Sequence, residues 1–487
     1  MLGVAAIGLL GEVACGAPGQ AGAPPTHGAP SSHGTPSSHG TPSSHGTPSS
    51  HGTPSSNGAP WSSGVSALPA AAARTSATSA PTPTGCGPFP PRRAWIDDVT
   101  SAGKVAWQLR LPTDPTQQGI ALQPLVIGGT AIVAEENAVY ALRLSGGHQL
   151  WKRVFPQVGN DPLSFYSALV YGLWQYRGAV IVLVGQASSA SRLFSLNAAT
   201  GAVRWELPLG KQGETGNLTL TGDGGLAMTY GFATLTVVDL TTGKVRWGRT
   251  AGTSAGPLAV GGVVIDAAGA VHGQTSGRLL GFSSRTGKLL WIRTGLPAQP
   301  EPQLASGLIL MTNAKQVTAL SPATGRTVWR VTTASPVFSV TSGPSGIAIS
   351  TQTPFRLLLI NPKTGRARWR VAYAGGQAPP LDTGTDLLYK GGTRSVLIDL
   401  RAANGSVRWA EPGPAPSFAQ ILRLGAYAVV IGNATKPNSP ALVTAYRLAT
   451  GKRAWTAQVP TYVEVPAAVA GASMLVQSGD PSQGCAA

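Results

Sequence analysis

The segment Val237-Val-Asp-Leu-Thr-Thr-Gly-Lys-Val-Arg-Trp247 contains the pattern that determines the fold. An apolar run is followed by a turn that ends in Thr-Gly, then by a basic residue and a tryptophan. The glycine supplies the positive φ that a tight hairpin turn requires. The segment therefore predicts two antiparallel strands joined by a short turn.

This pattern recurs along the chain at spacings typical of propeller blades or helical arrays. Short apolar runs at 131–133 and 428–431 are bounded by turn-forming residues and indicate strands, which favours propeller blades over helical arrays. We therefore predict an all-β propeller of four-stranded blades. The tryptophans that end the repeats are Trp107, Trp151, Trp205, Trp247, Trp291, Trp329, Trp369, Trp409 and Trp455, spaced by 38–54 residues.

The repeat resembles that of the PQQ-like β-propeller family, whose pattern is a strand, Asp or Asn, Thr-Gly-Lys and Trp. Asp239, Thr242-Gly243-Lys244 and Trp247 match this pattern closely, and the resemblance extends over roughly residues 90–480. It implies that each repeat tryptophan docks against the neighbouring blade and is structural. Eight blades are usual in the family, whereas strict counting of the repeats gives nine. We expect eight, with nine as the alternative, and a ring closed by N- and C-terminal strands.

Residues 1–15 are typical of an export signal, because the apolar stretch at 2–10 has the length of a secretory core and is too short to span a bilayer. The stretch ends near Val13-Ala14-Cys15, which resembles the lipobox of bacterial lipoproteins. We predict lipidation of Cys15, and the alternative is an ordinary signal cleaved nearby.

Residues 16–85 are dominated by the hexapeptide Ser-Ser-His-Gly-Thr-Pro. Such a segment has little to bury, so we predict a disordered tether between the anchor and a propeller at 86–487. Lipidation of Cys15 would leave Cys86 and Cys485 as an even pair, and we predict a disulfide between them in an oxidising compartment. This bond would hold the two ends of the propeller together.

The formal net charge is +17, and the first 85 residues contribute nothing to it because Glu12 and Arg74 cancel. A positive field favours anionic partners. In Gly365-Arg366-Ala-Arg368-Trp369-Arg370 the arginines alternate with Ala and Trp, so on a regular strand they share the face opposite Trp369. We therefore predict a basic belt on the outermost strands and a less basic central channel.

Quinoprotein dehydrogenases of the resembled family use a quinone, Ca²⁺, an Asp and usually adjacent cysteines. This chain has no adjacent cysteines and few acidic residues, although a Ca²⁺ site needs several converging oxygens. We expect no enzymatic activity, no cofactor and no metal, and keep a PQQ-dependent dehydrogenase as a remote alternative.

The predicted lipobox, tether and propeller resemble in layout the propeller lipoprotein of the outer-membrane barrel-assembly machinery. The resemblance implies an extracytoplasmic, non-catalytic scaffold on the outer face of the cell membrane that binds an envelope protein. The alternative is a module that binds cell-wall glycan or an acidic cell-wall polymer. We expect a monomer, membrane attachment only through the lipid, and no nucleic-acid partner.

The longest interval between repeats, from Trp151 to Trp205, concentrates aromatic and polar residues. Loops on a rigid scaffold often carry function, and aromatic rings beside polar groups suit protein or sugar binding. The alternative is that the aromatic residues lie in strands and pack between blades. The candidate ligand-binding residues are Asp161, Phe165, Tyr166, Trp174, Tyr176 and Arg177.

Overall fold

The computed structural model divides the chain into two units, Met1–Ala80 and Pro81–Ala487. All residues whose structure is described belong to the second unit: 94–113, 122–155, 169–186, 189–209, 215–230, 234–250, 253–268, 277–296, 301–352, 355–372, 380–391, 396–413, 417–433, 439–460, 463 and 466–479. Cys15, Cys86, Cys485 and the predicted tether lie outside them.

The described residues form nine four-stranded antiparallel sheets, each the blade of a propeller. Eight blades are continuous in sequence. Blade 1 contains β3 (Leu125–Ile127), β4 (Thr130–Glu135), β5 (Ala138–Arg143) and β6 (Gln149–Val154). Blade 2 contains β7 (Leu169–Tyr176), β8 (Ala179–Gln186), β9 (Ser189–Asn197) and β10 (Val203–Pro208). Blade 3 contains β11 (Thr215–Leu220), β12 (Gly225–Tyr230), β13 (Thr234–Asp239) and β14 (Val245–Thr250). Blade 4 contains β15 (Thr253–Val260), β16 (Val263–Ala268), β17 (Gly277–Ser283) and β18 (Leu289–Leu296).

The remaining continuous blades follow the same order. Blade 5 contains β19 (Pro302–Ala305), β20 (Leu308–Asn313), β21 (Gln316–Leu320) and β22 (Thr327–Thr332). Blade 6 contains β23 (Val337–Gly343), β24 (Gly346–Thr351), β25 (Arg356–Ile360) and β26 (Ala367–Ala372). Blade 7 contains β27 (Leu381–Asp382), β28 (Asp386–Gly391), β29 (Val396–Arg401) and β30 (Val407–Pro412). Blade 8 contains β31 (Ser417–Leu424), β32 (Tyr427–Asn433), β33 (Ala441–Arg447) and β34 (Arg453–Val459).

The ninth blade joins the two ends of the chain and is called the seam blade. Its strand order is β2 (Val105–Leu111), β1 (Ala94–Thr100), β36 (Ser473–Gly479) and β35 (Ala468–Ala470). β1 and β36 pair antiparallel over seven residues, with Ile96 opposite Gln477. The predicted closure by terminal strands is therefore confirmed, and the number of blades is the nine given by counting repeats.

The core is divided among the spaces between adjacent blades, because each sheet is apolar on both faces. One such cluster surrounds Trp247 and contains Leu235 and Val237 from blade 3 with Val264 and Phe282 from blade 4. Another joins blade 8 to the seam blade and contains Val429, Val443, Met474 and Val476. No described residue belongs to a helix that could cross a membrane.

Candidate binding surfaces

The nine repeat tryptophans link each blade to the next one around the ring. In every case the indole Nε1–H donates to a backbone carbonyl in the turn between the third and fourth strands of the following blade, at 2.7–3.1 Å. The acceptors of Trp107, Trp151, Trp205, Trp247, Trp291, Trp329, Trp369, Trp409 and Trp455 are Leu144, Ala198, Leu240, Ser284, Pro322, Pro362, Ala402, Leu448 and Ser101. The last bond returns from blade 8 to the seam blade, so the chain of contacts closes on itself.

A glycine of the same turn lies against each indole. In blade 6, Gly365 has φ +69°, and a Cβ added there would lie 2.7 Å from Trp329. The equivalent glycines of the other eight turns would bring a Cβ to within 2.5–2.8 Å of their indoles. The glycine of the repeat is therefore required both for the turn and for the close approach of the next blade.

Only part of the predicted aromatic site lies among the described residues. Asp161, Phe165 and Tyr166 lie outside the described residues. Trp174 and Tyr176 lie on β7, and both are half-buried against the apolar cluster between blades 2 and 3. These two side chains thus lie in a strand and pack between blades, as the alternative interpretation expects.

Arg177 follows β7 in an exposed turn, with φ +43° and its guanidinium 5.3 Å from the centre of the Tyr176 ring. It stands at the opposite end of β7 from Leu169, about 25 Å away at the rise of an extended strand. Leu169 and the turn at Arg177 therefore lie at opposite faces of the ring.

Several carboxyl groups are buried within the blades. Asp266 on β16 is completely buried, and neither carboxylate oxygen has a hydrogen-bond partner among the described residues. Burial raises the pKa of Asp266 to about 6 despite the nearby charge of Arg278. Burial likewise raises the pKa of Asp97 to about 6, against a hydrogen bond from Gln108. Burial therefore disfavours the charged form of both groups relative to an exposed carboxyl.

Two further carboxyl groups in blade 7 share Arg408. Its Nη2 lies 2.7 Å from Asp386 Oδ1, whereas its Nε lies 3.8 Å from Asp399 Oδ2. Burial, together with the charge of Asp386, raises the pKa of Asp399 to about 7, and Arg408 only partly opposes this. The arrangement is that of an ion pair inside a blade.

The described residues do not form a site of the kind with which quinoprotein dehydrogenases bind Ca²⁺ and a quinone. No group of three or more His, Cys, Asp or Glu side chains in the described ranges could hold a metal ion. The buried Asp97, Asp266 and Asp399 belong to three different blades. Each lies on the second or third strand of its blade and not on a first strand that lines the channel.

Positive charge is concentrated on the outermost strands, as predicted. In the described chain, the fourth strands of the blades carry twelve Arg or Lys and two acidic residues, Glu206 and Glu411. The first strands approach one another between blades and carry only Asp382 and Arg423. The described lining of the channel is thus nearly uncharged.

The expected strict alternation of Arg366, Arg368 and Arg370 is wrong in one respect. The register between β25 and β26 shifts, so Trp369 pairs with Leu359 and Ala367 with Ile360, which leaves Arg368 as the extra residue of a bulge. Trp369 is buried, and Arg368 and Arg370 are both exposed. All nine blades have such a shift beside the tryptophan.

One outermost strand differs from the others. On β18, Leu289, Leu290 and Ile292 are 42%, 45% and 53% exposed. β18 is the one described fourth strand with large apolar residues immediately before and immediately after its tryptophan. The apolar residues are visible in the sequence as Leu289-Leu290-Trp291-Ile292. They are recognised as unusual only when they are compared with the residues that flank the repeat tryptophan in the other blades.

The apolar strip continues the packing between blades 3 and 4. Leu289 pairs with Phe282 and Ile292 with Leu280, so both lie on the face of blade 4 that packs around Trp247. The buried cluster therefore opens to solvent along β18. Exposed apolar surface beside a free strand edge is typical of a protein contact site.

A search of curated proteins finds no match to this chain. Among solved structures, BamB from Moraxella catarrhalis has 16% identity over 74% of this chain and 98% of its own, with a TM-score of 0.42. A quinohemoprotein alcohol dehydrogenase from Comamonas testosteroni has 14% identity over 74% of each chain, with a TM-score of 0.41. A eukaryotic initiation factor has 12% identity over 76% of this chain and 97% of its own, with a TM-score of 0.54.

These identities bear on the fold alone, and only the third score exceeds 0.5. The sequence itself matches a family model over residues 176–306 and 313–476, together more than half of the 487 residues. Both matched ranges fall within the blades and contain the Thr-Gly and Trp repeats described above. The chain therefore belongs to the family described as outer membrane protein assembly factor BamB.

Proposed function

We propose that the protein is a non-catalytic scaffold of the cell envelope that binds a partner protein along the outer edge of blade 4. The observation that carries this proposal is the apolar strip Leu289, Leu290 and Ile292 on a free strand edge. The family description, which names an assembly factor, supports a role in binding other proteins.

The proposed partner contributes an extended segment that adds to β18 as a fifth strand. β18 has eight residues, the longest of the described fourth strands, and its unpaired backbone groups can hydrogen-bond to such a segment. Apolar side chains of the segment would then cover Leu289 and Ile292. Six of the other eight described outermost strands present Arg or Lys beside the tryptophan, which discourages strand pairing, and β2 and β34 are the exceptions.

We further propose an extracytoplasmic location with a lipid on Cys15. The support is the sequence at residues 2–15 together with membership of a family of envelope proteins.

Replacing Cys15 with Ser is expected to release the protein from membranes into the medium, because the acyl chains supply the attachment and the following spacer is polar. Fractionation of cells that make wild type and variant at equal levels measures this. Membrane association that is unchanged in the variant would contradict the anchor.

The partner site is tested by Ile292→Asp, which places a charge in the apolar strip. The control is Thr456→Asp, since Thr456 is also exposed and also follows the repeat tryptophan of its strand. The tagged full chain is used to recover partners from detergent-solubilised envelope. We expect Ile292→Asp to lower recovery of a stoichiometric partner protein at least tenfold, because burying an unpaired charge opposes docking.

The Thr456→Asp control is expected to recover the partner within twofold of wild type. Both variants should melt close to wild type, since the replaced side chains are exposed. Equal recovery by Ile292→Asp and wild type would overturn the proposed site. If only a second copy of this chain is recovered, the apolar strip is a site of self-association and not a site for a different protein.

A further inference from the structure

The nine turns between third and fourth strands share one backbone geometry, and this places one side chain in the same position nine times. In eight turns the glycine N–H donates to the backbone carbonyl of the residue four positions earlier. In the turn of the seam blade it donates to the carbonyl of the residue three positions earlier. In all nine turns, the backbone carbonyl of the residue after the glycine accepts a hydrogen bond from the backbone N–H of the residue that begins the turn. Only backbone atoms of this post-glycine residue are needed for the turn.

Basic side chains occupy six of these nine positions: Lys104, Lys244, Lys288, Arg326, Arg366 and Lys452. His148, Ala202 and Ser406 occupy the other three. All six basic side chains are exposed, and none is in an ion pair with a described residue. These six residues are called the basic ring.

Further basic residues lie in the same turns and strengthen the field of the ring. They are Arg143, Arg285, Lys363, Arg401 and Arg447, all exposed. The one acidic residue in these nine turns is Asp239, and its Oδ2 accepts a 2.8 Å hydrogen bond from Arg246. The hydrogen bond from Arg246 also lowers the pKa of Asp239. This carboxylate is therefore already neutralised.

The positive charge forms an annulus rather than a uniform face. The turns between first and second strands lie on the same face nearer the channel and carry Asp223, Asp382 and Asp386 together with one exposed basic residue, Arg177. Arg246 Nη1 lies 3.1 Å from Asp223, and Asp382 accepts hydrogen bonds from Ser345 and Gly384. An anionic ligand would therefore be attracted more strongly to the outer ring than to the mouth of the channel.

The described part of the opposite face shows no such bias. The turns between second and third strands there include Glu136 and Lys315, and Arg356 and Glu135 lie at adjacent strand ends. The ring is thus a property of one face. β1 begins at Ala94 on the opposite face and ends at Thr100 on the face of the basic ring.

We propose that the basic ring binds a linear anionic polymer laid along the outer annulus of this face. Single charges on flexible stems, placed at the same turn position in six of the nine blades, suit a chain of repeated phosphates or carboxylates that gains affinity by many weak contacts. A flat lipid surface would also meet the partly exposed carboxylates of Asp223 and Asp382 near the channel, whereas a polymer can follow the outer annulus alone, so a polymer fits better. This binding goes beyond the scaffold role and does not depend on the strip on β18.

The test compares two triple variants that change the net charge equally. Lys244→Ser, Lys288→Ser and Lys452→Ser remove half of the ring and install the residue that blade 7 already carries as Ser406. The matched control is Arg110→Ser, Arg330→Ser and Arg370→Ser, three exposed residues of fourth strands outside the turns. The full chain is titrated with linear polyphosphate, polyglutamate and vesicles containing phosphatidylglycerol over a range of salt.

We expect the ring variant to bind polyphosphate or polyglutamate at least tenfold more weakly than wild type. Its slope of log affinity against log salt should fall by about 2, since three contacts with the polymer each release counterions. The control should stay within about threefold. Preference for one polymer identifies phosphate or carboxylate as the ligand chemistry.

Equal losses in the two triple variants would overturn the proposal, because bulk charge alone would then explain binding. Binding to vesicles without binding to either polymer would also overturn it and assign the face to membranes. Binding of polymer that is insensitive to salt would contradict the ionic basis. Ile292→Asp should leave polymer binding unchanged, so failure of this proposal and failure of the scaffold role are separable.

Discussion

Replacing Gly365 with alanine is expected to lower the free energy of unfolding by about 2–5 kcal/mol. The new Cβ would lie 2.7 Å from Trp329, so the indole must shift from its position between blades 5 and 6. Overpacking of this kind costs about 1–3 kcal/mol. A left-handed conformation at φ +69° adds about 1–2 kcal/mol for a residue with a side chain.

The control for this change is Gly425→Ala in a turn between first and second strands. Gly425 has φ +58°, but an added Cβ would meet nothing within 4 Å. This variant should lose only the conformational term of about 1–2 kcal/mol. Denaturant unfolding of both variants against wild type measures the difference. Equal losses would show that contact between the turn and the indole does not hold the blades together.

The second large effect is expected from Asp266→Asn, which replaces a buried carboxyl group by a neutral group of similar shape. Burial raises the pKa of Asp266 from 3.8 to about 6, so the folded state holds the proton more tightly than the unfolded state. The stability linked to this proton is fully present below about pH 4 and is lost as the pH rises through about 6. A shift of this size corresponds to roughly 3 kcal/mol.

At pH 8 we expect Asp266→Asn to be more stable than wild type by about 1–3 kcal/mol, and at pH 4 to be equal or less stable. Glu301→Gln changes an exposed carboxyl group and serves as the control for the charge change alone. Unfolding free energies measured between pH 4 and pH 8 test this expectation. A difference between variant and wild type that does not vary with pH would exclude a neutral, buried Asp266.

The sequence alone predicts the fold well, because the fold depends on a local pattern repeated nine times. Gly243 and Trp247 belong to one short segment, and each blade repeats that segment with its own hairpin. The resemblance implied docking between blades, and the geometry gives its details: Trp247 bonds to Ser284 of the next blade. The closing pair of β1 and β36 is separated by almost the whole chain, yet counting tryptophans already suggested the ninth blade.

The candidate sites are less predictable because they depend on comparisons between blades and on small shifts in register. Arg368 becomes the extra residue of a bulge, which simple alternation does not anticipate. The strip at Leu290 and Ile292 is notable only once both are known to be exposed. Trp174 and Tyr176 show the reverse case, since aromatic residues in a long interval lie against an inter-blade cluster.

The proposed binding of a protein along β18 is tested most directly by a photo-cross-linking amino acid at position 292 in cells that make the full chain at its natural level. The matched position is 456, on the outermost strand of blade 8. The scaffold role predicts a covalent adduct with one distinct envelope protein from position 292 and none from position 456. Absence of an adduct at 292, or the same adducts from both positions, would contradict it.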